Sequence, residues 1–157
     1  MSSHTSRCLK IIQEQLQNRS RSHVLDLAKP CNDNLQFLAR LNCKIYLADA
    51  YNHLNLIQHD QLRELIPKAD DTKFDLVLCW DVFNYLDPTQ LEILLDYSQH
   101  HCNKNALLHF FIRDQAQMPS HPYRFKIFEN NTIQTDMYND TQINCPRHAL
   151  RQLKKLH

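Results

Sequence analysis

Apolar positions along the chain alternate between spaced stripes and short continuous runs. Leu9, Ile12 and Leu16 recur at helical spacing behind Thr5 or Ser6, either of which can cap a first helix. Arg19-Ser20-Arg21-Ser22 ends that helix. His23 to Ala28 is a short apolar run with β character. Asp33 is the candidate cap of a second helix, with Leu35, Leu38 and Leu41 turned inward. Lys44 to Ala48 reads as a second strand that ends at Asp49. Residues 50–72 hold a helical piece from Gln61 to Ile66, stopped by Pro67. Phe74 to Trp80, FDLVLCW, is apolar almost throughout, as a strand covered on both faces should be.

Asp87-Pro88-Thr89-Gln90 opens the next helix: Asp87 caps, Pro88 suits the first turn and Gln90 completes a capping box. Leu91, Leu94, Leu95 and Ser98 face inward from it, and Asn105 to Ile112 follows as a strand. Beyond a turn-rich loop at Met118 to Pro122, residues 123–128 and 132–137 alternate as a hairpin around Glu129-Asn130-Asn131. Pro146 starts a final basic helix with Ala149, Leu150, Leu153 and Leu156 on one side.

Strands that alternate with helices from residue 23 to 112 predict βαβ units and a parallel sheet. The expected fold is α/β: a Rossmann-like, doubly wound, mostly parallel sheet with helices on both faces and a shortened C-terminal part. It forms one domain over residues 1–157, with an N-terminal helix in 1–22, a βα core in 23–112, and a hairpin and final helix in 113–157. Leu25, Leu27, Ile45, Leu47, Leu76, Leu78, Leu107 and Phe111 are the expected sheet core. Ligands of such sheets lie beyond the carboxyl ends of the strands. Those ends are Ala28–Asn32, Asp49–Ala50, Trp80–Asn84 and Arg113.

Composition changes this picture in one respect: the 157 residues include no glycine. Ordinary usage of roughly 7% would give about eleven. A GxGxxG turn and a P-loop are both excluded, since each needs glycine where backbone meets phosphate. Hydrophobic content of 43% and charged content of 22% are ordinary for a globular domain. No apolar run reaches the roughly 18 residues of a membrane span, and Met1 to Lys10 has no signal-peptide core. The six cysteines are widely spread with no CxxC pair, so reduced thiols and a cytoplasmic setting are expected. Net charge is +1, but residues 1–24 total +3, residues 25–103 total −6 and residues 147–157 total +4. That distribution lacks the basic excess and interleaved aromatics of a nucleic-acid binder.

Val24-Leu25-Asp26-Leu27 with the helix after it, Asp49, Asp70-Asp71-Thr72-Lys73-Phe74-Asp75, FDLVLCW with Asp81 to Leu86, and the strand at 105–112 occur in a telling order. In that order and spacing the chain resembles the class I S-adenosylmethionine-dependent methyltransferases over residues 23–112. The resemblance implies a cofactor pocket touched by Asp26, Ala28, Asp49, Ala50, Asp71 and Trp80. Asp26 would support the cofactor loop, Asp49 would hold the ribose hydroxyls, and Trp80 would line an adenine or substrate pocket. Each also has a purely structural reading: loop support for Asp26, a polar strand end for Asp49, core for Trp80.

The departure from the family lies in the loop, where its three glycines align with Ala28, Pro30 and Asn32. Pro30 removes a backbone donor and Asn32 adds bulk. Both are expected to fill space that the methionine or ribose part of a cofactor would use. The expected function is therefore a methyltransferase-like domain without catalysis, in a structural, regulatory or partner-binding role. S-adenosylmethionine binding and an active methyltransferase form the alternative, and an unrelated α/β binding domain or enzyme a second one. No Asn-Pro-Pro-aromatic motif follows FDLVLCW; Asn84 and Tyr85 stand at that turn without proline. Of the ten histidines, His100-His101-Cys102 and Cys145-Pro146-Arg147-His148 are the densest metal-like clusters, and neither has zinc-site spacing. No cofactor, nucleic acid or membrane is expected as a partner. A second copy of the chain or another protein is expected to cover the edge left by a short sheet, through the hairpin or the final helix. The alternative is that the hairpin extends the sheet itself.

Overall fold

FDLVLCW forms the centre of the molecule. The computed structural model describes residues 1–137 and 141–153. Strand β1 (Ser2–Thr5) leads to helix α1 (Arg7–Gln17), and β2 (Ser22–Asp26) to α2 (Asn32–Arg40). β3 (Cys43–Leu47) is followed by 3-10 turns over Ala50–Leu56 and by α3 (Leu62–Leu65). β4 (Phe74–Trp80), a 3-10 turn at Val82–Tyr85, α4 (Pro88–His101) and β5 (Cys102–Phe110) complete the βα part. β6 (Gln117–Pro119), β7 (Arg124–Phe128), β8 (Thr132–Asp136), β9 (Gln142–Asn144) and α5 (His148–Leu153) follow.

Four strands form one parallel sheet in the order β3-β2-β4-β5. Its faces follow from the alternation of side chains along each strand. Leu25, Leu27, Val77 and Cys79 point to one side and pack with α3, α4 and α5 through Leu62, Leu65, Leu91, Leu94, Ala149 and Leu153. Val24, Leu76, Leu78 and Trp80 point to the other. There they meet Leu9, Ile12 and Leu16 of α1, Phe37 and Leu38 of α2, and Phe125, Ile127 and Ile133. All seven residues of β4 are buried, as their unbroken apolar run requires.

Local signals set the helix starts. Ser6 Oγ accepts the Leu9 N–H at 3.2 Å. Asp87 accepts the Gln90 N–H at 2.8 Å while the Gln90 side chain accepts the Asp87 N–H at 3.0 Å, a complete capping box. Without glycine, left-handed backbone falls to other residues: Asn42, Asp49, Asn130 and Asn131, the types that tolerate it best, and also Trp80 and Arg147.

The structure departs from expectation in several places. The hairpin forms, but it does not extend the parallel sheet: β7 and β8 make a separate antiparallel sheet with β1, in the order β1-β8-β7. β1 was invisible in the pattern because its four side chains are all exposed and its bonds are main-chain ones. β6 and β9 pair as a short antiparallel ribbon. α2 starts at Asn32 with Cys31, not Asp33, at its cap, and buries Asn34, Phe37 and Leu38, whereas Leu35 and Leu41 are half-buried. β5 begins at Cys102, directly after α4, and ends at Phe110. Leu47 is 39% exposed, and Ile45, Leu107 and Phe111 are only partly buried. β3 and β5 are the sheet's edges, so their residues lose the flanking cover that β2 and β4 enjoy. Leu156 lies outside the described residues. Among the described residues no helix is long and apolar enough to cross a membrane.

Central and edge positions should respond differently to truncation. Leu76→Ala, at a fully buried site, should lower stability by about 2–5 kcal/mol in urea unfolding, and Leu47→Ala by less than about 0.5 kcal/mol.

Candidate functional site

The carboxyl ends of β2, β3 and β4 converge on a cavity of about 350 Å³. Ala28 and Lys29 border it after β2, Asp49, Tyr51 and Asn52 after β3, and Val82 after β4. The outer wall is residues 121–125, and Asn34 of α2 lines the space between. This is the end of a parallel sheet at which ligands bind, beside the central strand from which neighbours diverge.

The loop after β2 is fixed by a buried carboxyl. Asp26 is 2% exposed, and its Oδ1 accepts both the Ala28 N–H and the Trp80 indole N–H at 3.0 Å. Burial pushes this carboxyl up to about 7, against the two hydrogen bonds, which favour the charged form. Strand pairing continues just past it, from the Leu27 N–H to the Leu78 carbonyl at 2.9 Å and from the Ala50 N–H to the Leu27 carbonyl at 2.9 Å. Asp49 has left-handed backbone (φ 45°, ψ 53°). Its carboxylate accepts the Asn52 side-chain amide at 3.0 and 3.1 Å, and its carbonyl lies 3.0 Å from His53 Nδ1.

The outer wall is held by side chains that reach its backbone. Asn34 donates to the Phe125 carbonyl at 2.9 Å and accepts the Ile127 N–H at 2.8 Å, tying α2 to β7. Asp81 Oδ2 accepts the Tyr123 N–H at 3.1 Å and pairs with Arg113 at 3.3 Å, while the Arg113 guanidinium lies 4.7 Å above the Tyr123 ring. Burial raises the Asp81 carboxyl to about 6, with Tyr123 and Arg113 pulling the other way. The Tyr85 hydroxyl reaches the Pro119 and His121 carbonyls at 2.9 Å, and Tyr51 donates to the Ser120 carbonyl at 3.2 Å. Asn84 is fully engaged: it donates to the Asp81 and Phe111 carbonyls at 2.9 Å and accepts the Arg113 N–H at 2.9 Å.

The residues implied by the methyltransferase resemblance therefore separate. Ala28 and Asp49 line the cavity, and Asp26 supports it from beneath. Ala50 is fully buried behind the wall. Trp80 is 1% exposed and belongs to the core, stacked at 5.4 Å on Phe125 and edge-on to His109. Asp71 is exposed on the loop entering β4, at the opposite end of the sheet. The expected obstruction does not occur: Pro30 and Asn32 are exposed and do not line the cavity, because the loop turns them outward into α2. Lys29 lies in the strand-end stretch Ala28–Asn32 expected to hold the site, whereas Tyr51, Asn52, His121 and Arg124 were missed from sequence. Tyr51 and Asn52 directly follow the strand end at Asp49–Ala50 and could have been found there; His121 and Arg124 come from a distant segment that only folding brings near.

Among the described residues, no group of three or more His, Cys, Asp or Glu side chains is placed to hold a metal ion. The six cysteines are all free thiols. The chain matches no family model, no curated protein and no solved structure.

Asp26 allows a pH test. A buried carboxyl raised above its unfolded value binds its proton more tightly in the folded state, so its ionisation weakens the fold as pH rises from about 4 to about 7. Asp26→Asn keeps an oxygen for both donors and removes the charge. Its melting temperature should match the parent near pH 3 and exceed it increasingly up to pH 8, with about 4 kcal/mol as the upper bound. The check is thermal unfolding of both proteins across that range.

Proposed function

We propose that this chain is a methyltransferase-like domain of Rossmann-like, doubly wound architecture that binds a nucleoside ligand and does not transfer a methyl group. The observation that carries the reading is the open cavity at the carboxyl ends of β2, β3 and β4 with Asp49 on its wall. A carboxylate at the end of the strand beside the central one suits a ribose diol, since it accepts two hydroxyl hydrogens at once. Asn52, which now donates to both Asp49 oxygens, keeps that carboxylate oriented. The strand order β3-β2-β4-β5 supports the architecture, with β2 at the point from which the connections diverge.

The reading without catalysis rests on the turn after β4. Asn84 and Tyr85 stand where amino-methylating relatives of the resembled family keep their reactive motif. Here their polar atoms are committed to backbone of residues 81, 111, 113, 119 and 121. They act as braces for the outer wall. A second reading, an active methyltransferase with an atypical loop, is favoured by one fact: Pro30 and Asn32 leave the cavity clear.

Titration calorimetry with adenosine, S-adenosylhomocysteine and S-adenosylmethionine separates these. Adenosine and its derivatives should bind in the micromolar range, and Asp49→Ala should weaken them at least about tenfold, or about 1.4 kcal/mol. Absence of binding by all three at millimolar concentration overturns the proposal. S-adenosylmethionine binding far more tightly than adenosine would move the balance to the active enzyme.

A further inference from the structure

The geometry points to a nucleoside monophosphate as the ligand of the cavity, its phosphate held between Lys29 and Arg124. This rests on the nucleoside reading above and narrows it. Three charged side chains line the cavity: Asp49, Lys29 and Arg124. Asp49 is the one acid among the lining residues; the neutral Asn52 amide orients its carboxylate and leaves acceptor sites for the ribose. Lys29 and Arg124 form no ion pair among the described residues. The nearest acid on the strand facing Arg124 is Asp136, its cross-strand partner, and Lys126 already holds that carboxylate at 3.0 Å. Two cations therefore border one concave space whose one lining carboxylate, Asp49, is the group assigned to the ribose.

The backbone segments that carry them are tied to one another. Lys29 precedes α2 and Arg124 starts β7, and Asn34 joins those two elements by two hydrogen bonds at 2.9 and 2.8 Å. With Asp49 assigned to the ribose, the two remaining charges are both positive and favour an anionic group beside them. A sulfonium or ammonium group is repelled by the pair, and a single carboxylate leaves one cation unmatched. A phosphate monoester carries close to two negative charges at neutral pH. The volume of about 350 Å³ lies at the low end for small-molecule sites, which suits one nucleotide and not a dinucleotide.

The test compares adenosine 5′-monophosphate, adenosine and S-adenosylmethionine on the full chain by calorimetry at low salt. The monophosphate should bind at least tenfold more tightly than adenosine and than S-adenosylmethionine. That advantage should shrink toward nothing in Arg124→Ala and in Lys29→Ala, survive largely in Arg124→Lys, and fall steeply as salt is raised. Lys29 and Arg124 are exposed, and circular dichroism of the variants verifies that they fold. Equal binding of adenosine and its monophosphate, or an advantage that the alanine variants leave untouched, overturns the phosphate assignment and leaves the nucleoside reading standing. Failure of adenosine, its monophosphate and S-adenosylmethionine alike to bind removes both.

Discussion

The hydrogen bonds that end on Asp26 hold the carboxyl end of the sheet together. One carboxyl oxygen, out of reach of water, takes the indole N–H of Trp80 and the main-chain N–H of Ala28. The first bond fixes the end of β4 and the second fixes the loop after β2, so two neighbouring strands finish at one point. Trp80 holds left-handed backbone there, with φ at 50°. Such a conformation costs a bulky residue on the order of 1–3 kcal/mol and persists only where its surroundings enforce it. Here they do: the indole is bound to Asp26, stacked on Phe125 and boxed by His109 and Phe111.

The consequence reaches the cavity through Phe125. Its ring lies on Trp80, its carbonyl is held by Asn34, and it sits within the wall that closes the site. The wall is thus a continuation of the core, fastened by Asn34 from α2, by Asp81 and Arg113 from the ends of β4 and β5, and by Tyr85 and Tyr51 from the 3-10 turns. Several of these groups are buried polar side chains whose partners are backbone atoms, the usual way to hold an irregular segment in one conformation. A chain with no glycine has fewer ways to bend sharply. This one compensates with Asn and Asp at left-handed positions and with side-chain bonds that pin its loops.

The expectations that held depended on short-range patterning. The central strand, the capping box at Asp87, the first helix cap at Thr5 or Ser6 and the hairpin within 123–137 are each written in about fifteen consecutive residues or fewer. The expectations that failed depended on what lies beside an element. Leu47 and Leu107 alternate like core residues, but β3 and β5 are the outer strands and their cover is incomplete. Pro30 and Asn32 replace slender positions of the resembled family and yet leave the cavity clear, because backbone direction, not side-chain volume, decides where they point.

The sequence by itself determined the α/β class and the parallel strands, read at 23–28, 44–48 and 74–80 and found within two residues of those bounds at 22–26, 43–47 and 74–80. These follow from periodicity, from strand and helix order, and from capping residues, all of which act over one or two turns of chain. Only the tertiary structure decided which face of Trp80 is used, that β1 would join a hairpin more than 125 residues away, and that Lys29 would meet Arg124 across one cavity. Those are pairings between distant segments, and nothing local in either partner encodes them: main-chain edges and exposed cations look alike wherever they occur. The physical reason is that pairing energy depends on which surfaces the folded core leaves adjacent, and that is settled only when the whole chain is packed.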